Sequence, residues 1–185
     1  MKTNKMQKLK RQGGFSLLEL LMVIAVIGII SVGATALFAK VSSGNSANAT
    51  VIEQQEIVSG IKRVYRSVDI DANLNAEVAT VLGIKPATAK LVGTGTSSYW
   101  TSQYDSRYTI ESDAASTPKT VTLTLSEVPT QDGSCATIIS SAKDAGWAKI
   151  GGSTAAGLAA SALTPATVAG ECSGTSQDIK FIYEQ

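Results

Sequence analysis

"RQGGFSLLELLMVIAVIGIISV", residues 11–32, sets two glycines in front of a long apolar run and plants one carboxylate, Glu19, a few residues into it. From Leu20 to Ala39 no residue is charged. At a rise of about 1.5 Å per residue, a helix of that length spans the roughly 30 Å apolar core of a bilayer. Ahead of the run, Lys2, Lys5, Lys8, Lys10 and Arg11 stand with no acid among them. Such a basic flank predicts the cytoplasmic side, with residues 40 onward on the far side of the membrane.

The rest of the 185-residue chain is compatible with one modest domain. The whole chain has a net charge of +1, but without the five leading cations 11 basic residues face 15 acidic ones. That body carries no clustered basic footprint for nucleic acid. With no histidine in the chain, histidine-based triads and histidine metal sites are excluded. Cys135 and Cys172 are the only cysteines, both in the part expected to be exported, so they are predicted to pair. The bridge would close a loop of about 38 residues, worth roughly 4 kcal/mol in the chain-entropy model. The alternative is two separate buried thiols.

Three readings compete for residues 1–39. A secretory signal has an apolar core of about 7 to 15 residues followed by a small-residue cleavage site. Ala34-Thr35-Ala36 fits such a site, but the segment from Phe15 to Val32 is longer than such a core and contains Glu19. A plain single-pass anchor explains the length and the basic flank, yet neither the Gly13-Gly14 pair nor Glu19. An ionisable group in a membrane segment calls for a partner. The third reading supplies one: cleavage between Gly14 and Phe15, on the cytoplasmic side, where glycine lets the backbone approach an active site closely. The new α-amino group at Phe15 then lies one helical turn from Glu19. When such helices pack side by side, Glu19 of one copy neutralises the amine of its neighbour only in the correct axial register. Fixing register is the best-attested role of a buried charge pair.

With those residues in place, "GGFSLLELLMVIAVIGIISV" resembles the processing and assembly motif of type IV prepilins and the related pseudopilins of type II secretion. The resemblance covers roughly residues 8 to 40. It implies removal of a leader after Gly14 by a prepilin peptidase of the inner membrane, N-methylation of Phe15, and an assembly role for Glu19. It also implies self-polymerisation driven by a separate cytoplasmic ATPase and assembly platform.

Beyond the apolar run, Val51, Val58, Ile61, Tyr65 and Val68 lie close to an i, i+3, i+4, i+7 stripe, and no proline interrupts Phe15 to Val68. One long helix over 15–68 is therefore predicted, with Gly28, Gly33 and Gly44 as weak points. A Ser, Thr, Ala and Gly rich part follows over 69–185. In it, "NAEVATVLGI" predicts a short helix ending near Gly83. "RYTIES" and "KTVTLTLSEV" predict an antiparallel hairpin. "GSCATIISSAKDAGW" predicts a helix with Asp132 as N-cap, and "DIKFIYEQ" a strand. The fold class is α+β, a long helix laid on an antiparallel sheet, and the organisation is leader 1–14, helix 15–68 and head 69–185. A helix opening at the first cysteine, a second cysteine just before the last strand and a leader of 14 residues resemble the type IVb group. The low-complexity run "GGSTAAGLAASALTPATVAGECSG" falls inside the cysteine bracket, as an exposed fibre surface or a solvated loop.

No active site is legible. Asp69 with Asp71, and Glu111 with Asp113, are acid pairs of the kind usually solvated. "GTGTSS" from Gly93 lacks the lysine of a phosphate loop and reads as a turn. Tyr99, Trp100 and Tyr104 read as packing more readily than as a contact surface. The leading expectation is a non-enzymatic structural subunit without cofactor or metal. It starts in the inner membrane and ends in an extracellular fibre for adhesion, aggregation, motility or conjugation. A minor pilin or pseudopilin, and a monomeric periplasmic binding module, are the alternatives.

Overall fold

Strict alternation in "TVTLTL" places threonines on one side of a strand and Val121, Leu123 and Leu125 on the other, and a seven-stranded sheet is built around this strand. A computed structural model describes residues 16–102, 106–152 and 157–185, leaving aside the side chains at 33, 36, 39, 40 and 43. Two compact units emerge, Met1–Ala39 and Lys40–Gln185, and the division falls within α1 (Leu17–Val64).

Among the described residues the strands are β1 (Leu91–Val92), β2 (Tyr99–Thr101), β3 (Arg107–Asp113), β4 (Thr120–Pro129), β5 (Lys149–Gly151), β6 (Leu158–Ala159) and β7 (Ser176–Glu184). Their spatial order is β1-β2-β3-β4-β7-β5-β6, every neighbouring pair antiparallel. Register turns the alternation into rows. Trp100 pairs with Tyr108, Tyr108 with Leu125, and Leu125 with Ile179. A second row runs Ile110, Leu123, Phe181, Ile150. All eight are buried, and such same-face pairs stabilise a sheet. On the opposite face Thr109, Thr122 and Thr124 stay half-exposed, the polar side of a one-faced antiparallel sheet.

Within Lys40–Gln185, α1 contributes Ala47, Ile57, Val58 and Ile61 to the same buried cluster, and Tyr65 joins them just past the helix end. The predicted stripe is thus corrected at both ends. Val51 is half-buried, and Val68, past the helix end, is exposed. The helix stops at Val64 rather than at residue 68, where the Gln185 side chain takes over: its Nε2 donates to the Tyr65 carbonyl at 2.8 Å and to that of Val68 at 3.2 Å. Those carbonyls have no partner further along the helix.

Sequence signals account for the smaller helices. In α2 (Ala76–Val81), the Asn75 side chain accepts from the Val78 N–H at 3.0 Å, and Gly83 turns the chain at φ +71°. In α3 (Ser134–Ala145), Gly133 holds the N-cap position at φ 82°, while Asp132, the expected cap, accepts from the Ser134 N–H at 2.9 Å. The low-complexity run is structured where it is described. It contains β6, a 3-10 turn over Ala160–Ala162 and α4 (Pro165–Glu171), which a Thr164–Thr167 capping box opens with proline in the first turn. Cys135 in α3 and Cys172, the C-cap of α4, form the disulfide with Cα atoms 5.9 Å apart.

Candidate functional site

The N-terminal part of α1 contains no proline and opens with leucines and Glu19 in the first turn, where a carboxylate complements the helix dipole, and it stays helical despite its β-branched residues and Gly28 and Gly33. Its large apolar side chains are nevertheless all exposed, from Leu17 at 77% through Ile29 at 76% to Phe38 at 78%. They surround the helix on every side, so no single face is offered to a core. Leu17 to Phe38 contains three polar side chains. Ser31 donates to the Ile27 carbonyl at 2.7 Å and Thr35 to that of Val32 at 2.9 Å, so both hydroxyls are satisfied inside the helix and carry little penalty in an apolar medium. Glu19 is exposed and makes no ion pair among the described residues. It is the one polar side chain here left to be met from outside.

Gly14 and Phe15, the expected cleavage and methylation positions, lie outside the described residues. Among the described residues no helix is long and apolar enough to cross a membrane. The expected span from Leu20 to Ala39 includes the side chains at 33, 36 and 39, which lie outside those described.

Elsewhere the chemistry is structural. Asp69 pairs with Lys119 at 3.3 Å, and Asp71 accepts from the Asn73 N–H at 3.0 Å. Asp113 receives the Ala115 and Ser116 N–H groups at 2.9 and 3.1 Å, and Glu111 is exposed. No cluster of metal-ligating side chains forms among the described residues. Trp100 is fully buried, its indole N–H donating to the Ala76 carbonyl at 3.1 Å and to the Thr80 hydroxyl at 2.9 Å. Half-buried Tyr99 lies under the Arg107 guanidinium, 4.8 Å from its ring centroid. Tyr104 lies outside the described residues.

Sequence reasoning missed two buried polar side chains of α1. Glu53 accepts from the Thr88 hydroxyl at 2.5 Å and from the Tyr108 hydroxyl at 3.1 Å, tying helix, loop and β3 together. Its position four residues before Ile57 was the available signal, a carboxylate in line with the core stripe. Next to it, Gln54 is 1% exposed and neither end of its amide has a partner among the described residues. Burial raises the hydroxyl pKa of Tyr65 above its usual value, and the Asp71 charge adds to the shift.

Comparison with known proteins agrees with both units. Residues 9–35 match the prokaryotic N-terminal methylation motif, and residues 44–183 match the family described as PilS N terminal. The fold is similar to the crystal structure of a type IV b pilin from Salmonella typhi, with a TM-score of 0.61 at 15% identity over 73% of this chain and 97% of that one. No curated protein matches.

Proposed function

From the premise that this chain belongs to the PilS N-terminal family and is a type IVb-like prepilin, we propose that it is the structural subunit of a type IV pilus. Residues 1–14 form a cleaved leader, the assembly helix runs on to Val64, and the head follows, with 69–185 as its main part. The prepilin enters the inner membrane through Leu20–Ala39, a prepilin peptidase cuts after Gly14, and Phe15 is N-methylated. Subunits then polymerise with their apolar helices side by side, powered by an assembly platform and its ATPase, into a fibre on the cell surface. The subunit has no catalytic step of its own.

The observation that carries this reading is the N-terminal part of α1, apolar on every side with Glu19 as its single unmet polar group. An apolar surface of that extent calls for lipid or other copies. Lipid accounts for the apolar side chains but makes the carboxylate a liability. Neighbouring copies account for both, because the terminal amine of one is the countercharge for Glu19 of the next.

The deciding experiment is intact mass and terminal sequencing of protein sheared from the cell surface. A start at Phe15 with one added methyl group is expected. A start at Leu37 would mean an ordinary secreted domain, and a start at Met1 an unprocessed anchor, either of which overturns the proposal. Gly14→Leu is expected to keep the leader attached and the protein in the membrane; normal fibres from that variant would reject cleavage at this glycine.

A further inference from the structure

Strand β3 is paired unequally on its two sides. Toward β4 the ladder runs from Tyr108–Leu125 to Asp113–Thr120. Toward β2 it ends at the Trp100–Tyr108 pair. Beyond it the chain turns away through the 3-10 turn Gly95–Ser97, whose following residue, Ser98, is held by hydrogen bonds to the Gly95 carbonyl and the Glu77 N–H. On that side the edge of β3 from Thr109 to Ser112 therefore has no strand partner among the described residues. A cleft of about 470 Å³ opens along it, with Asn73 and Asn75 on one wall and Thr96 on another.

We infer that this cleft accepts an extended peptide segment that adds to the free edge of β3. Three features point there. All four consecutive residues from Thr109 to Ser112 line the cleft, which happens when a strand presents its edge rather than one face. An open edge presents main-chain N–H and C=O groups at the spacing an added strand satisfies. Four residues of β3 cover about 13 Å, which matches three or four residues of an added strand. The rim is also supplied with uncommitted groups. The side chains of Asn73, Thr96, Thr109 and Glu111 make no hydrogen bond or ion pair among the described residues, whereas Ser112 is fixed by the Leu74 N–H and the Asp71 carbonyl.

Charge narrows the partner. Among the described residues Glu111 is the only ionisable one lining the cleft, so a basic segment is favoured and an acidic one repelled. The main chain supplies the affinity and Glu111 the preference.

The test uses the full chain in detergent micelles, with backbone amide shifts as the readout. The probes are acetyl-Lys-Val-Thr-Val-amide, its acidic counterpart beginning with Glu, and the basic peptide N-methylated on alternate amides. The basic peptide is expected to shift the amides of residues 109–112, 73 and 96, and N-methylation to abolish the shifts. The acidic peptide should bind about two- to fivefold more weakly, the range for one exposed charge pair, and Glu111→Lys should reverse the order. Equal binding of the N-methylated peptide rejects strand addition. Shifts in the same amides with methyl α-glucoside and not with peptide would identify a sugar site, and no shift with any probe removes the site altogether.

Discussion

One helix follows two opposite rules along its length. From Leu17 to Phe38 the apolar side chains point outward in all directions and are exposed, while from Ala47 to Tyr65 a single stripe is buried with the sheet in one core. Both segments hold a glutamate, and the contrast between them is informative. Glu53 is enclosed and met by two hydroxyls of its own chain. Glu19 is exposed and met by nothing in its own chain among the described residues. A carboxylate satisfied internally serves the fold, whereas one left unsatisfied in an apolar segment calls for a partner, the role proposed above for a neighbouring copy.

The sharpest way to break this comparison is Glu19→Val. It is expected to leave thermal unfolding of the head unchanged and leader removal intact while fibre yield falls to background. Wild-type fibre yield from the variant would end the register role. Next in size is the disulfide. Cys135→Ser with Cys172→Ser is expected to lower head stability by about 2–5 kcal/mol, measured by denaturant unfolding, because it unties α3 from α4. A change below 1 kcal/mol would mean that packing of Ile138, Ile139 and Val168 suffices.

How much of this was legible follows the same division. The N-terminal methylation motif was legible, because its signal is local: a glycine, a hydrophobe, a glutamate and an apolar run at fixed offsets. The β3–β4 hairpin and β7 were legible from strict alternation, as in "TVTLTL". Strands β1, β2, β5 and β6 were not, being two or three residues long and defined only by the neighbours they pair with. Helix α4 was hidden by its small residues, although Thr164, Pro165 and Thr167 carried the cap signal. Likewise, the free edge of β3 exists only because β2 diverges after Trp100, and no periodicity in the sequence marks that point.

Adjacent positions on α1 sharpen the comparison further. Glu53→Ala strands the Thr88 and Tyr108 hydroxyls and should cost about 1–3 kcal/mol. Gln54→Met removes a buried amide with no partner and keeps its volume, so a gain of about 1 kcal/mol is expected. Opposite signs from neighbouring residues are the signature of a satisfied and an unsatisfied buried group. A loss from Gln54→Met would show that solvent inside the head satisfies the amide.

The smallest effect lies at the end of the buried stripe. The Tyr65 hydroxyl is held neutral by burial, with the Asp71 charge acting in the same direction. Its folded pKa therefore stands above the unfolded value near 10. The native state keeps this proton where the unfolded chain has lost it, so the contribution to stability is fully present below about pH 10. It disappears as pH rises through the folded value. Tyr65→Phe keeps the ring in the core and removes the titration, and the difference between the two proteins isolates this group from the other tyrosines and lysines that titrate nearby. The wild type should lose stability more steeply than the variant above pH 10, followed by urea unfolding at fixed temperature. Parallel alkaline slopes would mean that the hydroxyl meets solvent in the folded state and that the buried stripe ends at Ile61.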